Sequence, residues 1–330
     1  MEKIKKAVIE VCGSCNYSCQ MCPQSATLGG REKEFKKNMP LATFKTILDE
    51  LKADHDLQEI YLEGSGEPTM NKKLPDYIAY GTELGFKMSF ITNGTGFTGQ
   101  KMKDIIDAGM HYARISVIGS TPELYAEWMP NAAGKDEDTL EDIIANTNET
   151  LEYIKSSGSN AILGSYHLIT DNMLEKEQVQ QYKMHWVDRV PGIAANIWRM
   201  HNWSGQLTGV TWREGHKMRS CGRPNSPDIV IRAGGIDGKH AAVVPCCMVL
   251  GRDSEAVMGH LSEDTIAEVY NGDAYNHLRK MHDEHRFDEI SYCKDCDMLY
   301  DAPEALVWSN AGADYNTLTG GIFDMKEYRK

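Results

Sequence analysis

From its start to about residue 205 the chain alternates between short apolar runs and segments of helical spacing, a pattern that few folds accept. Short apolar runs read as strands at Ala7 to Val11, Ile60 to Leu62, Phe86 to Ile91, Arg114 to Ile118, Ala161 to Ile169 and Ala194 to Met200. Between them lie segments with helical spacing. Leu41, Phe44, Ile47, Leu48 and Leu51 form one, Leu74 to Leu84 a second, and Met102, Ile105 and Ile106 a third. Leu140, Ile143, Ile144, Leu151 and Ile154 mark a long fourth helix, and a more polar one precedes the last strand. Strands that alternate with helices build a parallel sheet, and right-handed crossovers curl it into a partial (β/α)6 barrel. In such sheets the reactive centre lies at the C-terminal strand ends. Cys15, Gly64 to Pro68, Asn93 and Ser116 all fall at such ends.

Beyond residue 205 the alternation stops. Ile229 to Ile231 and Ala242 to Val244 read as a hairpin across Gly234 to Gly238, followed by a helical stretch around Ile266 to Met281 and a polar loop with Cys293 and Cys296. The expected organisation is an α/β barrel domain over 1–205, a small cysteine-bearing domain over 206–300 and a tail over 301–330. A net charge of −13 opposes binding to nucleic acid or anionic membrane. No apolar run reaches bilayer length, and the charged start Met1 to Lys6 lacks the h-region of a signal peptide. A cytoplasmic protein is expected.

Nine cysteines is an odd count, and without an export signal a disulfide framework is not expected. They cluster instead, four between Cys12 and Cys22 and five between Cys221 and Cys296, which suggests two metal centres. Cys15, Cys19 and Cys22 lie on one short loop after the first strand. Three thiolates so placed can hold three irons of a four-iron cluster and leave the fourth iron open. Zinc fingers need four ligands, and thioredoxin-like motifs need two cysteines. Cys12 reads as a buried residue ending the strand, because a fourth thiolate would close the cluster.

The run Cys15-Asn16-Tyr17-Ser18-Cys19-Gln20-Met21-Cys22-Pro23 resembles the cluster loop of the radical S-adenosylmethionine (SAM) superfamily. The resemblance implies a SAM-binding [4Fe-4S] cluster held by Cys15, Cys19 and Cys22. It also implies cleavage of SAM to a 5′-deoxyadenosyl radical and an electron donor such as flavodoxin or ferredoxin. Met21 stands where the family often has an aromatic residue near the adenine. Gly64-Ser65-Gly66-Glu67-Pro68 resembles the family's Gly-Gly-Glu motif, which binds the SAM amine. Asn93 joins the expected cofactor-binding set, and Ser116 matches a serine that contacts SAM. The arginine that many relatives carry about twelve residues later is absent, since Glu127-Trp128-Met129-Pro130 stands there. Arg199, at the end of the sixth strand, is expected to face the lumen and bind substrate or accept its proton; its alternative is an ion pair. His167 and His201 are weaker candidates of the same kind.

Cys221-Gly222-Arg223-Pro224, Cys246-Cys247 and Cys293-Lys294-Asp295-Cys296 resemble the SPASM/Twitch extension. That resemblance implies an auxiliary [4Fe-4S] cluster on Cys221, Cys246, Cys293 and Cys296, with Cys246 against Cys247 left open and a four-cysteine zinc site as the alternative. Twitch-bearing relatives act on polar small molecules such as sugars or aminocyclitols, and oxidation of an alcohol is the leading expectation. Epimerisation with Cys247 as hydrogen donor comes close behind. A peptide-modifying enzyme is a further alternative, weakened by a first strand that leaves no room for a fused leader-recognition domain. A non-catalytic iron–sulfur or zinc protein is the last.

Overall fold

The computed structural model describes residues 3–25, 36–133, 139–207, 220–249, 254–300 and 305–307. In chain order its main elements are β1 (Lys6–Ile9), α1 (Leu41–Asp54), β2 (Glu59–Leu62), α2 (Leu74–Glu83), β3 (Lys87–Thr92), α3 (Gly99–Asp107), β4 (Met110–Ser116), α4 (Pro122–Trp128) and α5 (Leu140–Ser157). Then come β5 (Ile162–Ile169), α6 (Glu175–His185), β6 (Ala194–Arg199), β7 (Asp228–Arg232), β8 (Ala242–Val244), β9 (Gly259–His260), α7 (Ile266–Tyr270), α8 (Asp273–Asp283) and β10 (Ala305–Val307). Two compact units result. The first takes Met1–Cys15, Arg31–Ser89 and His201–Asp301; the second takes Asn16–Gly30, Phe90–Met200 and Ala302–Lys330. The division cuts β3 after Ser89.

In the first unit β1 is flanked on both sides. It pairs in parallel with β2, Ala7 opposite Ile60, and with β7, Lys6 to Ile9 opposite Asp228 to Ile231. The run Ala7-Val8-Ile9 is apolar throughout because a strand between two neighbours buries both faces. The hairpin expected after residue 205 is present, with β7 antiparallel to β8 and β8 antiparallel to β9. Its first strand extends the sheet of β1 in parallel, a pairing no local pattern announces. Val8, Val230, Val244, Val249 and Ala256 form a core there, with Tyr61, Cys246 and Tyr292 packed against it. Helix α1 buries Phe44, Ile47, Leu48 and Leu51, the i, i+3, i+4, i+7 stripe of its sequence. The helical stretch read as one from Ile266 to Met281 is two helices. Thr265 and Glu268 form a capping box on α7, and Gly272 interrupts before α8.

In the second unit β4, β5 and β6 are parallel, with Arg114 opposite Gly164 and Tyr166 opposite both Ser116 and Asn196. The three-residue β10 adds antiparallel to β6. Helix α5 starts at a capping box formed by Thr139 and Asp142. Helix α4 is seven residues long, too short for a periodic stripe. Its sequence signals are the N-cap Thr121, whose hydroxyl accepts from the Leu124 amide, with Pro122 and the acidic Glu123 in the first turn. No helix among the described residues is long and apolar enough to cross a membrane.

Candidate functional site

In the first unit the Gly64 to Pro68 loop is fastened to the segment that leads into the cysteine loop. The Glu67 amide donates to the Ser14 carbonyl at 2.7 Å. A Cβ on Gly66 would lie 2.1 Å from the Cys12 carbonyl oxygen and 2.6 Å from that of Ser14, so only glycine allows this approach. The Glu67 side chain turns inward and caps the next turn, accepting from the Thr69 amide at 3.0 Å and its hydroxyl at 2.7 Å. Cys12 is buried, and its thiol donates to the Ser14 carbonyl at 3.5 Å.

Beneath this loop sits Glu10, which the sequence reading passed over. Its carboxylate is buried and accepts from the Ser65 amide at 2.5 Å, the Ser65 hydroxyl at 2.6 Å and the Ala233 amide at 3.2 Å. The buried Arg232 guanidinium lies 3.6 Å away and donates to the carbonyls of Cys247 at 2.8 Å and Val249 at 2.7 Å. A charged residue closing an apolar strand, as in Val8-Ile9-Glu10, was the available signal. A charge buried there requires a partner.

The second cysteine group lies wholly in this first unit. Burial pushes the Cys246 thiol up to about 12, and the neighbouring Cys247, Cys221 and Cys296 add to the shift while Arg223 opposes it. Burial likewise raises Cys296 to about 11, with Asp297 and Cys221 contributing. Cys293 and Cys296 share a tight turn, the Cys296 amide donating to the Cys293 carbonyl at 2.9 Å. His282 links two parts of the group. Its Nδ1 meets the Ser220 hydroxyl at 2.9 Å and its Nε2 the Cys293 Sγ at 3.6 Å. The adjacent cysteines face different surroundings: Cys246 packs on the apolar core, and the Cys247 Sγ accepts from Arg223 Nη1 at 3.5 Å. His201 is buried with its ring edge-on to Trp203 at 4.6 Å. Next to it, Asn202 holds the last cysteine loop through the Asp297 carboxylate at 2.9 Å and the Asp295 carbonyl at 2.7 Å.

In the second unit, residues 16 to 20 of the first cysteine loop are pinned by the segment from Trp128 to Ala132. The amides of Ser18 and Gln20 donate to the carbonyls of Pro130 and Trp128, both at 2.9 Å, and Ala132 donates to Asn16 at 2.8 Å. That stretch therefore holds the loop by its backbone. Asn16 donates to Thr95 Oγ1 at 2.8 Å and accepts from Asn93 Nδ2 at 2.8 Å, which ties Asn93 to the loop directly. Met21 is buried, and so is Ser116 at the end of β4. His167 faces α6, its ring stacked on Tyr182 at 4.8 Å and its Nδ1 3.0 Å from the Val117 carbonyl. Burial lowers it to about 4, so it is neutral, a core histidine. Arg199 needs correcting as a lumen base. Its Nε pairs with Glu175 Oε2 at 2.9 Å, the ion-pair alternative, and a guanidinium does not accept protons at neutral pH.

The donor set suits iron–sulfur clusters. None of the nine cysteines is in a disulfide. The first cysteine loop is held by backbone hydrogen bonds and by the side chains of Asn16, Tyr17 and Gln20. In the second group, soft thiols gather where burial disfavours free thiolates, and a bound iron would take the place of their protons. Among the described residues no three His, Cys, Asp or Glu side chains stand at the spacing of a single metal ion; the electrostatic couplings among the cysteines act over longer range.

Two family models match the chain, the radical SAM superfamily over residues 9–175 and the SPASM iron–sulfur cluster-binding domain over residues 235–297. A curated relative, the tungsten-containing aldehyde ferredoxin oxidoreductase cofactor-modifying protein of Pyrococcus furiosus, is 27% identical over 114 residues, 34% of this chain and 31% of its own. The chain thus spans about a third or less of the length of the first curated relatives it matches. Among solved structures, BtrN in complex with AdoMet and 2-DOIA superposes with a TM-score of 0.56 at 19% identity, covering 93% of this chain and 100% of that one. Streptococcus suis SuiB bound to precursor peptide SuiA gives 0.60 at 14% identity, covering 90% of this chain and 70% of that one. These likenesses establish the shared fold. The radical SAM and SPASM matches carry with them [4Fe-4S] clusters and SAM as cofactors. The chain belongs to the radical SAM superfamily and carries a SPASM iron–sulfur cluster-binding domain.

Proposed function

We propose that this radical SAM enzyme removes a hydrogen atom from a carbon of a polar small molecule, a sugar or aminocyclitol, and oxidises the alcohol there. When bound, SAM and its cluster supply the hydrogen-abstracting radical, and an auxiliary cluster supplies an electron acceptor. Cys15, Cys19 and Cys22 hold the first cluster. Gly64, Ser65, Gly66, Glu67, Met21, Asn93 and Ser116 bind SAM. Cys221, Cys246, Cys293 and Cys296 hold the auxiliary cluster.

The observation that carries this reading is the gathering of the second cysteine group around the partly buried Cys246, which packs on the apolar core with Cys221 and Cys296 close enough to shift it. Four thiolates there suit a cluster that passes electrons. The size match with BtrN, whose complex holds 2-DOIA, supports a small substrate. The likeness to SuiB, solved with a precursor peptide, is the ground for the peptide alternative. Epimerisation keeps a place because Cys247 faces away from the core on which Cys246 packs, and adjacent side chains on extended backbone point apart. Anaerobic incubation with candidate sugars and aminocyclitols in deuterated water tests the proposal by mass spectrometry. Loss of two hydrogens supports oxidation, and uptake of one deuterium marks epimerisation. No change in any such compound, with a peptide modified instead, refutes the small-molecule reading.

A further inference from the structure

The two faces of the β4–β6 sheet are unlike. On one face Ser165 and His167 meet α6, the Ser165 hydroxyl bonding Tyr182 at 2.8 Å and the Trp186 indole at 2.8 Å. Alternation puts Tyr166 on the opposite face, and register puts Arg114, Ser116, Asn196 and Trp198 there with it. This second face is polar and aromatic. The Arg114 guanidinium packs 4.8 Å from the Tyr166 ring and 4.9 Å from the Trp198 ring, and the two rings are 5.9 Å apart. Gly164 sits opposite Arg114, and a Cβ there would lie 2.3 Å from the Tyr112 hydroxyl, so the floor is closed by backbone and ring.

Two polar atoms on this face are unspent. Asn196 is fully buried and its Nδ2 donates to the Ser165 carbonyl at 3.1 Å, yet its Oδ1 has no partner among the described residues. The Trp198 Nε1 is also buried without a partner among them. Buried polar groups are paired in the great majority of native structures, and an exception calls for a ligand or another explanation. The two sit two residues apart on one strand, so their Cα atoms are roughly 6–7 Å apart on the same face. One is an acceptor and the other a donor.

We infer that this face is a substrate subsite for a hydroxylated six-membered ring. A hydroxyl group of the ring donates to Asn196 Oδ1, and another accepts from Trp198 Nε1. The ring lies beside the Arg114 guanidinium, which itself packs on the Tyr166 and Trp198 rings. The Arg114 cation favours hydroxyl oxygens and disfavours an ammonium at the nearest carbon. The inference rests on the small-molecule reading proposed above.

The test is calorimetric titration of the cluster-loaded, SAM-bound protein with myo-inositol, glucose and glucosamine, and with a short peptide as the competing class. Asn196→Leu removes the acceptor, Asn196→Asp restores one, and Trp198→Phe removes only the indole N–H and part of the ring. The expected result is ring binding by the parent protein and a Kd raised about tenfold or more by Asn196→Leu and by Trp198→Phe. Asn196→Asp should regain part of the loss. Trp198 is half-buried, so its variant carries the test if Asn196→Leu does not fold. Ring binding that is unchanged within twofold in Trp198→Phe and in the folded Asn196 variants overturns the subsite and leaves the small-molecule reading standing. No ring binding by the parent overturns the subsite, and the labelling experiment above then decides the small-molecule reading separately.

Discussion

Arg232→Met isolates the buried pair on which the Gly64 loop rests. Arg232 and Glu10 are 4% and 2% exposed, so solvent does little to screen the loss of either. Removing the guanidinium leaves the Glu10 carboxylate without its counter-charge at 3.6 Å, and the Cys247 and Val249 carbonyls without their donors. Breaking a buried ion pair from one side costs about 3–5 kcal/mol. Glu10 keeps the Ser65 and Ala233 donors, which favours the lower part of that range. Adding Glu10→Gln removes the stranded charge while a side-chain oxygen remains for Ser65. The double variant should therefore recover about half of the loss, and the two effects should not add. Urea denaturation of cluster-free protein, followed by circular dichroism, measures all three variants. A loss under about 1 kcal/mol in Arg232→Met would mean that the pair does not hold the loop. A double variant as unstable as the sum of the single variants would mean that the charges act independently, and the reasoning would fail.

Replacing Cys15, Cys19 or Cys22 singly by Ala should abolish 5′-deoxyadenosine formation, read by chromatography; parental rates in any one of the three would remove it from the ligand set. Anaerobic protein should bind about eight irons per chain, as two four-iron clusters require, and near-stoichiometric zinc with half that iron would replace the auxiliary cluster by a zinc site. His167 gives a pH dependence. Its pKa is depressed from 6.5 to about 4 in the fold, so the unfolded chain binds the extra proton first. Its contribution is fully present above pH 6.5 and is lost as pH falls toward 4, which amounts to about 2 kcal/mol between pH 7 and 5. His167→Gln should flatten that part of the stability profile, and an unchanged slope would assign it to other groups.

What was legible in the sequence is what local chemistry encodes. The strands β1 to β6 arise from apolar runs, and α1 and α5 from stripes that bury Phe44, Ile47 and Leu48 or Leu140, Ile143 and Ile144. The cysteines announce themselves by type and spacing. Pairings between distant segments were not legible. Nothing in Asp228 to Arg232 says that it lies beside Lys6 to Ile9 and not apart with its own hairpin. Glu10 closes an apolar strand and so carries a local hint, but its partner Arg232, 222 residues away, is not legible before the pairing is known. Arg199 departs from the expected lumen position because side chains alternate along β6. Asn196 and Trp198 share one face, and Arg199 lies on the other, beside Glu175.

The parallel pairing of β1 with both β2 and β7 has a consequence for how the first unit is tuned. β2 delivers the chain to Gly64, and β7 delivers it to Arg232 and, through β8, to Cys246. Glu10 comes directly after β1 and touches residues past both neighbouring strands: Ser65 beyond β2, and Arg232 and Ala233 at the end of β7. The loop expected to bind SAM and the backbone of Cys247 are therefore joined by a chain of short polar contacts from Ser65 through Glu10 and Arg232. Glu10 and Arg232 in the middle of the chain are both buried and charged, so a shift at one end is costly unless the other end moves with it. A substitution near Cys246 that displaces the Cys247 carbonyl should thus be felt at Ser65, although the two are far apart in sequence.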